Sequence, residues 1–449
     1  MSAVTGTEIV ERIWSRDPTL WTGHDEAEWL GWLDEPIRLL EDLDLLLSLA
    51  ERAHYEQVVL LGMGGSSLAP EVLRRSFGVD VFHVLDTTHP AAIRRLTESL
   101  DLGRTLVVAS SKSGGTIETR SHLDYFWEQT GHVATRFAAV TDPGSRLEQL
   151  AHERDFVGVA AGEPTIGGRY SALSPFGILP AILMGLDARR LLERAEEMRE
   201  ACRYGEGNPG LELGLALGEA WREGRDKVAL AQVSGGFDLW VQQLLAESTG
   251  KDGKGLVPVE GDGPDVQTHD VRLEAPYELG QEFFRWEFAT AVAGSILGIN
   301  PFDQPNVQAA KDKTNEVLER GQTVELEPQG SLDELLAGAR AGDYVAVCAF
   351  IDPARESELD ALLDRVRATG RPLMRGLGPR YLHSTGQLHK GGPDTGLFIQ
   401  VVDDLGDELP IPGKPYGFRQ LIAAQAEGDF EALRERGRRI VRVRLEDVA

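Results

Sequence analysis

Cysteine is nearly absent from this sequence: two in 449 residues, Cys202 and Cys348. Two thiols cannot staple a chain of this length, and neither sits in a CxxC pair. A disulfide framework and a thiolate metal site are therefore excluded, and a reducing compartment, the cytoplasm, fits best. Basic charge is also short. Lys+Arg number 46 against 72 Asp+Glu, a formal charge of −26. So acidic a surface repels nucleic acid and anionic membranes, and neither is expected as a partner. It still admits a small phosphorylated ligand, because free N–H groups at a helix start hold a phosphate locally. No apolar run approaches the roughly 18 residues of a membrane span. The opening residues, MSAVTGTEIVERIWSRD, lack the apolar core of a secretory signal. Histidine never falls in HxH or HExxH spacing, so no metal is expected, and no cofactor is inferred.

Lysine is scarcer still. Only eight of the 46 basic side chains are lysine, at 112, 227, 251, 254, 311, 313, 390 and 414. In a chain that otherwise uses arginine, a retained lysine marks a place where a compact ammonium suits better than a guanidinium fork.

What is present is a core-forming composition, 42% hydrophobic, in a chain long enough for two or three domains of about 150 residues. The first 50 residues read as helical and acidic, with an apolar stripe from Trp29 to Leu49. Short apolar runs then alternate with amphipathic stretches. Strands are predicted at 58–62, 82–86, 105–111 and 135–141, each followed by a helical segment. The pattern restarts near 226 with KVALAQVSGG, and further strands are predicted at 344–351, 371–377 and 395–404. Such alternation implies parallel sheets wrapped on both faces: an α/β chain of two doubly wound domains, joined near 200–215.

Two loops stand out. Gly62-Met63-Gly64-Gly65-Ser66-Ser67 follows an apolar strand and opens a helix. Its free N–H groups and the positive helix end favour a phosphate. A plain tight turn fits equally, and the GxGxxG spacing of a dinucleotide site fails at Ser67. The second loop, Ser110-Ser111-Lys112-Ser113-Gly114-Gly115-Thr116, has the same strand-to-helix setting and crowds hydroxyl and ammonium donors together. Its lysine precedes the glycines, so it is not a nucleoside-triphosphate loop.

Paired hydroxyl-rich loops after neighbouring strands resemble the sugar isomerase (SIS) domain, and further motifs narrow the resemblance to the phosphoglucose isomerase family. Gly167-Gly168-Arg169-Tyr170-Ser171 is similar to that family's GGR-F/Y-S turn. Gln243 to Lys251, QLLAESTGK, is similar to its Q-x-x-x-E-S-N-G-K helix, with Thr249 for asparagine. Pro301-Phe302-Asp303-Gln304 followed by Lys311, and His383-Ser384-Thr385-Gly386-Gln387, match its F-D-Q…K and H-S-x-G-Q stretches. The overall resemblance is closest to the isomerase half of bacterial transaldolase/phosphoglucose isomerase fusions.

The resemblance implies two SIS-type domains with an N-terminal helical arm: 1–45 the arm, 46–205 the domain with the phosphate loops, and 206–449 the domain with the catalytic Glu, Lys and His. It implies a metal-free aldose–ketose isomerase acting on glucose 6-phosphate and fructose 6-phosphate. Glu247 would move the proton between C2 and C1, and Arg169 would stabilise the enediolate. His383 and Lys311 would open the sugar ring. Gly65, Ser66, Ser111, Lys112, Ser113, Thr116 and Gly168 would hold the phosphate side, and Gln243 and Gln304 would orient the sugar. It also implies a homodimer whose histidine comes from the neighbouring subunit. One feature departs from the family: its order is base, histidine, then F-D-Q…K, whereas here the order is Glu247, Lys311, His383. Glu282, in Gly280-Gln281-Glu282, and His389 are the other candidates for the histidine's place. An isomerase that also uses mannose 6-phosphate, and a non-enzymatic phosphosugar-binding protein, are the alternatives. Judged without its motif, Glu247 reads better as a solvated helix-end carboxylate paired with Lys251 at i+4.

Overall fold

The computed structural model describes residues 5–231, 233–319, 321 and 324–449. Five strands come first: β1 (Gln57–Leu61), β2 (Phe82–Leu85), β3 (Thr105–Ser110), β4 (Phe137–Thr141) and β5 (Gly158–Ala161). They form one sheet in the order β2-β1-β3-β4-β5, parallel at every pairing. The cause is visible in β3, where TLVVAS is buried at all six positions. An unbroken apolar run has no face to give to water, so helices must cover both sides. In this strand order the chain reverses its direction of winding between β1 and β3. The crevice beyond their C-terminal ends is where such folds take ligands. Both glycine- and hydroxyl-rich loops leave the sheet at that crevice.

The second half contains seven strands among the described residues, divided between two sheets. β6 (Lys227–Ala231) lies between β7 (Val257–Pro258) and β8 (Val266–Asp270), all parallel. β9 (Tyr344–Phe350), β10 (Leu373–Leu377), β11 (Gly396–Val402) and β12 (Arg439–Arg444) form a parallel sheet in the order β10-β9-β11-β12. A single antiparallel bridge, Glu260 to Leu373, links the two sheets. The α/β class with parallel sheets therefore holds, with the later strands divided rather than gathered into one sheet.

The N-terminal residues pack firmly onto the rest. Helix Gly6–Trp14, capped by the Thr5 hydroxyl, buries Ile9, Val10 and Ile13. Helix Glu35–Arg52 buries Leu39, Leu43 and Leu46, a three-to-four-residue spacing that makes one apolar stripe. Between them the Trp21 indole donates to the Ala291 carbonyl at 2.8 Å. Trp32 stacks on Tyr170 with centroids 5.4 Å apart. Helix Leu279–Leu297, buried along nearly its whole length, is the post against which these aromatics close. No helix among the described residues is long and apolar enough to cross a membrane.

Candidate active site

The loop after β1 is shaped by close contact. Gly64 has φ +56°, a left-handed conformation that favours glycine. A Cβ on Gly65 would stand 1.9 Å from the Gly168 carbonyl. Glycine at 65 therefore lets the Gly168–Tyr170 turn, which carries Arg169, lie directly against the phosphate-type loop. Ser66 is buried within the same 3₁₀ turn, Gly64–Ser66.

Arg169 is 1% exposed and fully engaged. Its Nε donates to Ser248 Oγ at 2.7 Å and Nη1 to Gln304 Oε1 at 2.8 Å. Its Nη2 donates to the Pro301 and Asp303 carbonyls at 2.7 and 2.9 Å. The remaining charge faces Glu247, with Nη1 to Oε1 at 3.7 Å. Five fixed contacts make this a preorganised cation rather than a mobile one.

Glu247 and Gln243 lie one turn apart on helix Phe237–Thr249, and that spacing puts both on one face. The Gln243 amide donates to Glu247 Oε2 at 3.0 Å and to the His383 backbone carbonyl at 2.9 Å. Lys251 is not a surface partner of Glu247. It is 3% exposed, and its ammonium donates to the Asn300 and Asp303 carbonyls and to Asp303 Oδ1 at 2.6, 2.7 and 2.5 Å. Burial pulls this ammonium down to about 8. Thr249, the motif's departure, joins Leu245 O at 2.6 Å and Leu256 N at 2.8 Å, so its hydroxyl closes the helix end.

His383 ends the 3₁₀ turn Arg380–His383. Its Nε2 lies 2.8 Å from Glu118 Oε1, which also accepts from Gln425 Nε2 at 2.6 Å. Burial alone would raise the Glu118 carboxyl; the adjacent His383 charge and hydrogen bond outweigh burial and hold it below its usual range. A cavity of about 220 Å³ opens beside this pair, lined by Ser113, Thr116, Glu118, Lys311, His383 and Gln425 among others. Ser111 Oγ and Thr116 Oγ1 sit 3.0 Å apart at its edge.

Gln387 is a joint that the motif did not explain. Its amide donates to Gly250 O and to Asn306 Oδ1, both at 2.8 Å, while its oxygen accepts from Asn306 N at 2.8 Å. It thereby ties the ends of three motifs that lie far apart in sequence.

Several expected positions differ. Lys112 does not line the cavity: its ammonium is held by Asp142 Oδ2 at 2.5 Å and by the Glu163 and Pro164 carbonyls at 3.2 and 3.3 Å. It braces the loop from behind. His389 is buried beneath the turn, 3.3 Å from Met374 Sδ, and burial drives its imidazole down to about 3. Glu282 is bound at 2.8 and 2.7 Å by Arg285 on helix Leu279–Leu297. Of the three candidates, only His383 meets the cavity. It does so beside Lys311.

Glu118 and Gln425 escaped the sequence reading. Glu118 had a weak signal, a carboxylate in the first turn of the helix that the second loop opens. Gln425 had none, since it arrives from helix Phe418–Glu435.

The phosphoglucose isomerase family model matches residues 51–271. That stretch contains both loops, Arg169 and Glu247, and stops before the segments whose order departs from the family. A glucose-6-phosphate isomerase of Gloeothece citriformis is 32% identical over 54% of this chain and 49% of that protein. One from Citrifermentans bemidjiense is 30% identical over 78% of this chain and 62% of that protein. One from Rubrobacter xylanophilus is 28% identical over 61% of this chain and 86% of that protein. The chain spans about half the length of several curated relatives it matches. Among solved structures, a glucose-6-phosphate isomerase from Chlamydia trachomatis has a TM-score of 0.53 at 20% identity, over 70% of this chain and 78% of that one. A hypothetical protein from Thermus thermophilus has a TM-score of 0.51 at 24% identity, over 98% and 83%. These two share the fold.

Proposed function

We propose that this chain is a glucose-6-phosphate isomerase, interconverting glucose 6-phosphate and fructose 6-phosphate through ring opening and a cis-enediol. The observation that carries the reading is the pairing of Glu247, oriented by Gln243, with the fixed Arg169 cation at 3.7 Å, beside the loops that leave β1 and β3. A phosphosugar sensor would need the loops but not this pair.

In this reading the first domain, 46–205, supplies the phosphate loops through Gly65, Ser66, Ser111, Ser113, Thr116 and Gly168. The second, 206–449, supplies Glu247, Lys311 and His383. His383, backed by Glu118, gives a proton to the ring oxygen while the O1 proton leaves to solvent water beside the Lys311 ammonium; the C1–O5 bond breaks as the C1=O1 carbonyl forms, and the ring opens. Glu247 as carboxylate removes the C2 proton, and the electron pair shifts to the C1 carbonyl oxygen. Arg169 stabilises the negative charge that develops there. The O2–H proton then passes to O1, and Glu247 returns its proton to C1 as O2 becomes the ketone oxygen. One base serves both carbons, which is what an aldose–ketose shift requires. Gln304, held by Arg169, faces the sugar. A cytoplasmic homodimer completes the reading. The motifs spanning 62–387, taken together, are what the proposed kinship with the isomerase half of transaldolase/phosphoglucose isomerase fusions rests on.

The test is a coupled assay in EDTA, with fructose 6-phosphate supplied and glucose 6-phosphate read by a dehydrogenase that makes NADPH. Glu247→Gln keeps the shape and removes the base. Wild-type turnover with a loss of about two to four orders of magnitude in the variant supports the reading. A wild type that binds the sugar phosphate without turnover overturns it in favour of a sensor. Replacing fructose 6-phosphate by mannose 6-phosphate decides the substrate range.

A further inference from the structure

We infer that Glu118 and His122 hold an internal water molecule between them, and that His122, through this water, is a positioning residue for the Glu118 carboxylate. The water site rests on geometry alone. Its bearing on catalysis rests on the isomerase reading, in which Glu118 backs His383.

Glu118 and His122 stand four residues apart on helix Ile117–Gln129, and Ser121 lies three residues after Glu118, so all three share one face. Helix Phe418–Glu435 covers that face. Its Phe418 ring stacks on His122 with centroids 5.4 Å apart, and its Gln425 reaches Glu118. Glu118, Ser121 and His122 are all buried.

Each of the three has a polar atom left over. Glu118 Oε1 is taken by Gln425 and His383, but Oε2 has no hydrogen-bond partner among the described residues. Nor do His122 Nδ1 and Ser121 Oγ. The neighbouring Thr88 hydroxyl is spent on Gln425 Oε1 at 2.7 Å. His122 Nε2 lies 3.0 Å from the Thr87 carbonyl, which can only accept, so Nε2 carries the hydrogen. Burial pushes this imidazole down to about 4, so near neutrality Nδ1 is a bare lone pair. Two acceptors one helical turn apart cannot satisfy each other. They call for a molecule with two donors. Water has two, and its oxygen can accept from the Ser121 hydroxyl, which makes the three bonds usual for a buried water. A donor on Oε2 also favours the charged form of a carboxyl that burial would otherwise neutralise.

The titratable groups facing Glu118 are His383 on the turn Arg380–His383, Lys311 on helix Val307–Glu319 across the cavity, and His122 on its own helix. Helix Phe418–Glu435 presents the uncharged Gln425. In the loop after β2, Asp86 is bound by Arg380 and His89 by Asp403.

Two measurements test this. Neither reads turnover, so a chain that proved not to be an isomerase would lose the functional reading and leave both intact. In a high-resolution crystal structure of the full chain, one water should lie within hydrogen-bond distance of Glu118 Oε2 and His122 Nδ1. The same side chains with no water between them would overturn the inference. The second measurement follows the Glu118 carboxyl by 13C NMR, its signal assigned by loss in Glu118→Gln. His122→Phe keeps a ring against Phe418 and removes the acceptor that holds the water. Losing a donor disfavours the charged carboxylate, so the Glu118 midpoint should rise by about one pH unit. A midpoint that stays or falls, in a variant that unfolds like wild type, also overturns the inference. Should His122→Phe not fold, the crystal structure decides alone.

Discussion

At the scale of single residues, Lys251 shows how a motif position can act without touching substrate. Its ammonium has three acceptors, all in the 300–303 segment that leads to Gln304. A neutral amine has two donors, so one acceptor loses its partner when the proton leaves. Because burial pulls this group from 10.5 to about 8, the fold releases a proton that the unfolded chain keeps up to its ordinary value. Between those limits the unfolded state binds more protons, and this group's contribution to stability rises with pH. Activity should move the other way. We expect kcat/KM to fall above pH 8, approaching about tenfold per unit if only the ammonium form is competent. Lys251→Arg, which stays charged, should lose this limb of the profile if it folds. A wild-type profile flat to pH 10 would remove Lys251 from the account.

At the scale of elements, the site depends on how loops meet, and this decides what the sequence could reveal. The strands β1 and β3 and the loops after them were readable because continuous apolar runs ended in glycine and hydroxyl clusters. β8, VQTHD, and β12, RIVRVR, were not, because polar and charged residues hide their strand character. β7 is only two residues long. The contact between Gly65 and the Arg169 turn was also invisible, since a glycine shows that room is needed but not what fills it. This contact gives a sharp expectation. In Gly65→Ala the new Cβ would meet the Gly168 carbonyl, a backbone atom that cannot swing aside. The Arg169 turn must shift. Overpacking of this kind costs about 1–3 kcal/mol, and a 1 Å displacement of the Arg169 cation should lower kcat/KM by about 100-fold. Gly168→Ala is the control for stability, because its Cβ would meet nothing within 4 Å. Denaturant midpoints that fall equally for the two would show that the contact is not tight.

At the scale of the whole molecule, Lys311 and His383 meet at one cavity although they stand in exchanged order. Linear order is set by which loops connect the elements, and convergence by packing, so sequence could name the groups but not say which of them packing brings together. The net charge of −26 acts at this scale as well. A sugar phosphate approaches through a negative field, and among the described residues the cavity lining offers Lys311 as its lysine, with Glu118 and His383 beside it. The Debye length is about 30 Å at 0.01 M salt and about 10 Å at 0.1 M. At the lower value the surface repels the substrate before the site can attract it. At the higher value the distant acidic groups are screened, while Arg169, buried and close to the reacting atoms, is not. Raising inert salt from about 10 to 100 mM should therefore raise kcat/KM for fructose 6-phosphate several-fold, through KM, with kcat unchanged. A fall in kcat/KM over that range would mean that Lys311 dominates the field the substrate meets, and that the acidic surface lies too far from the crevice mouth to matter.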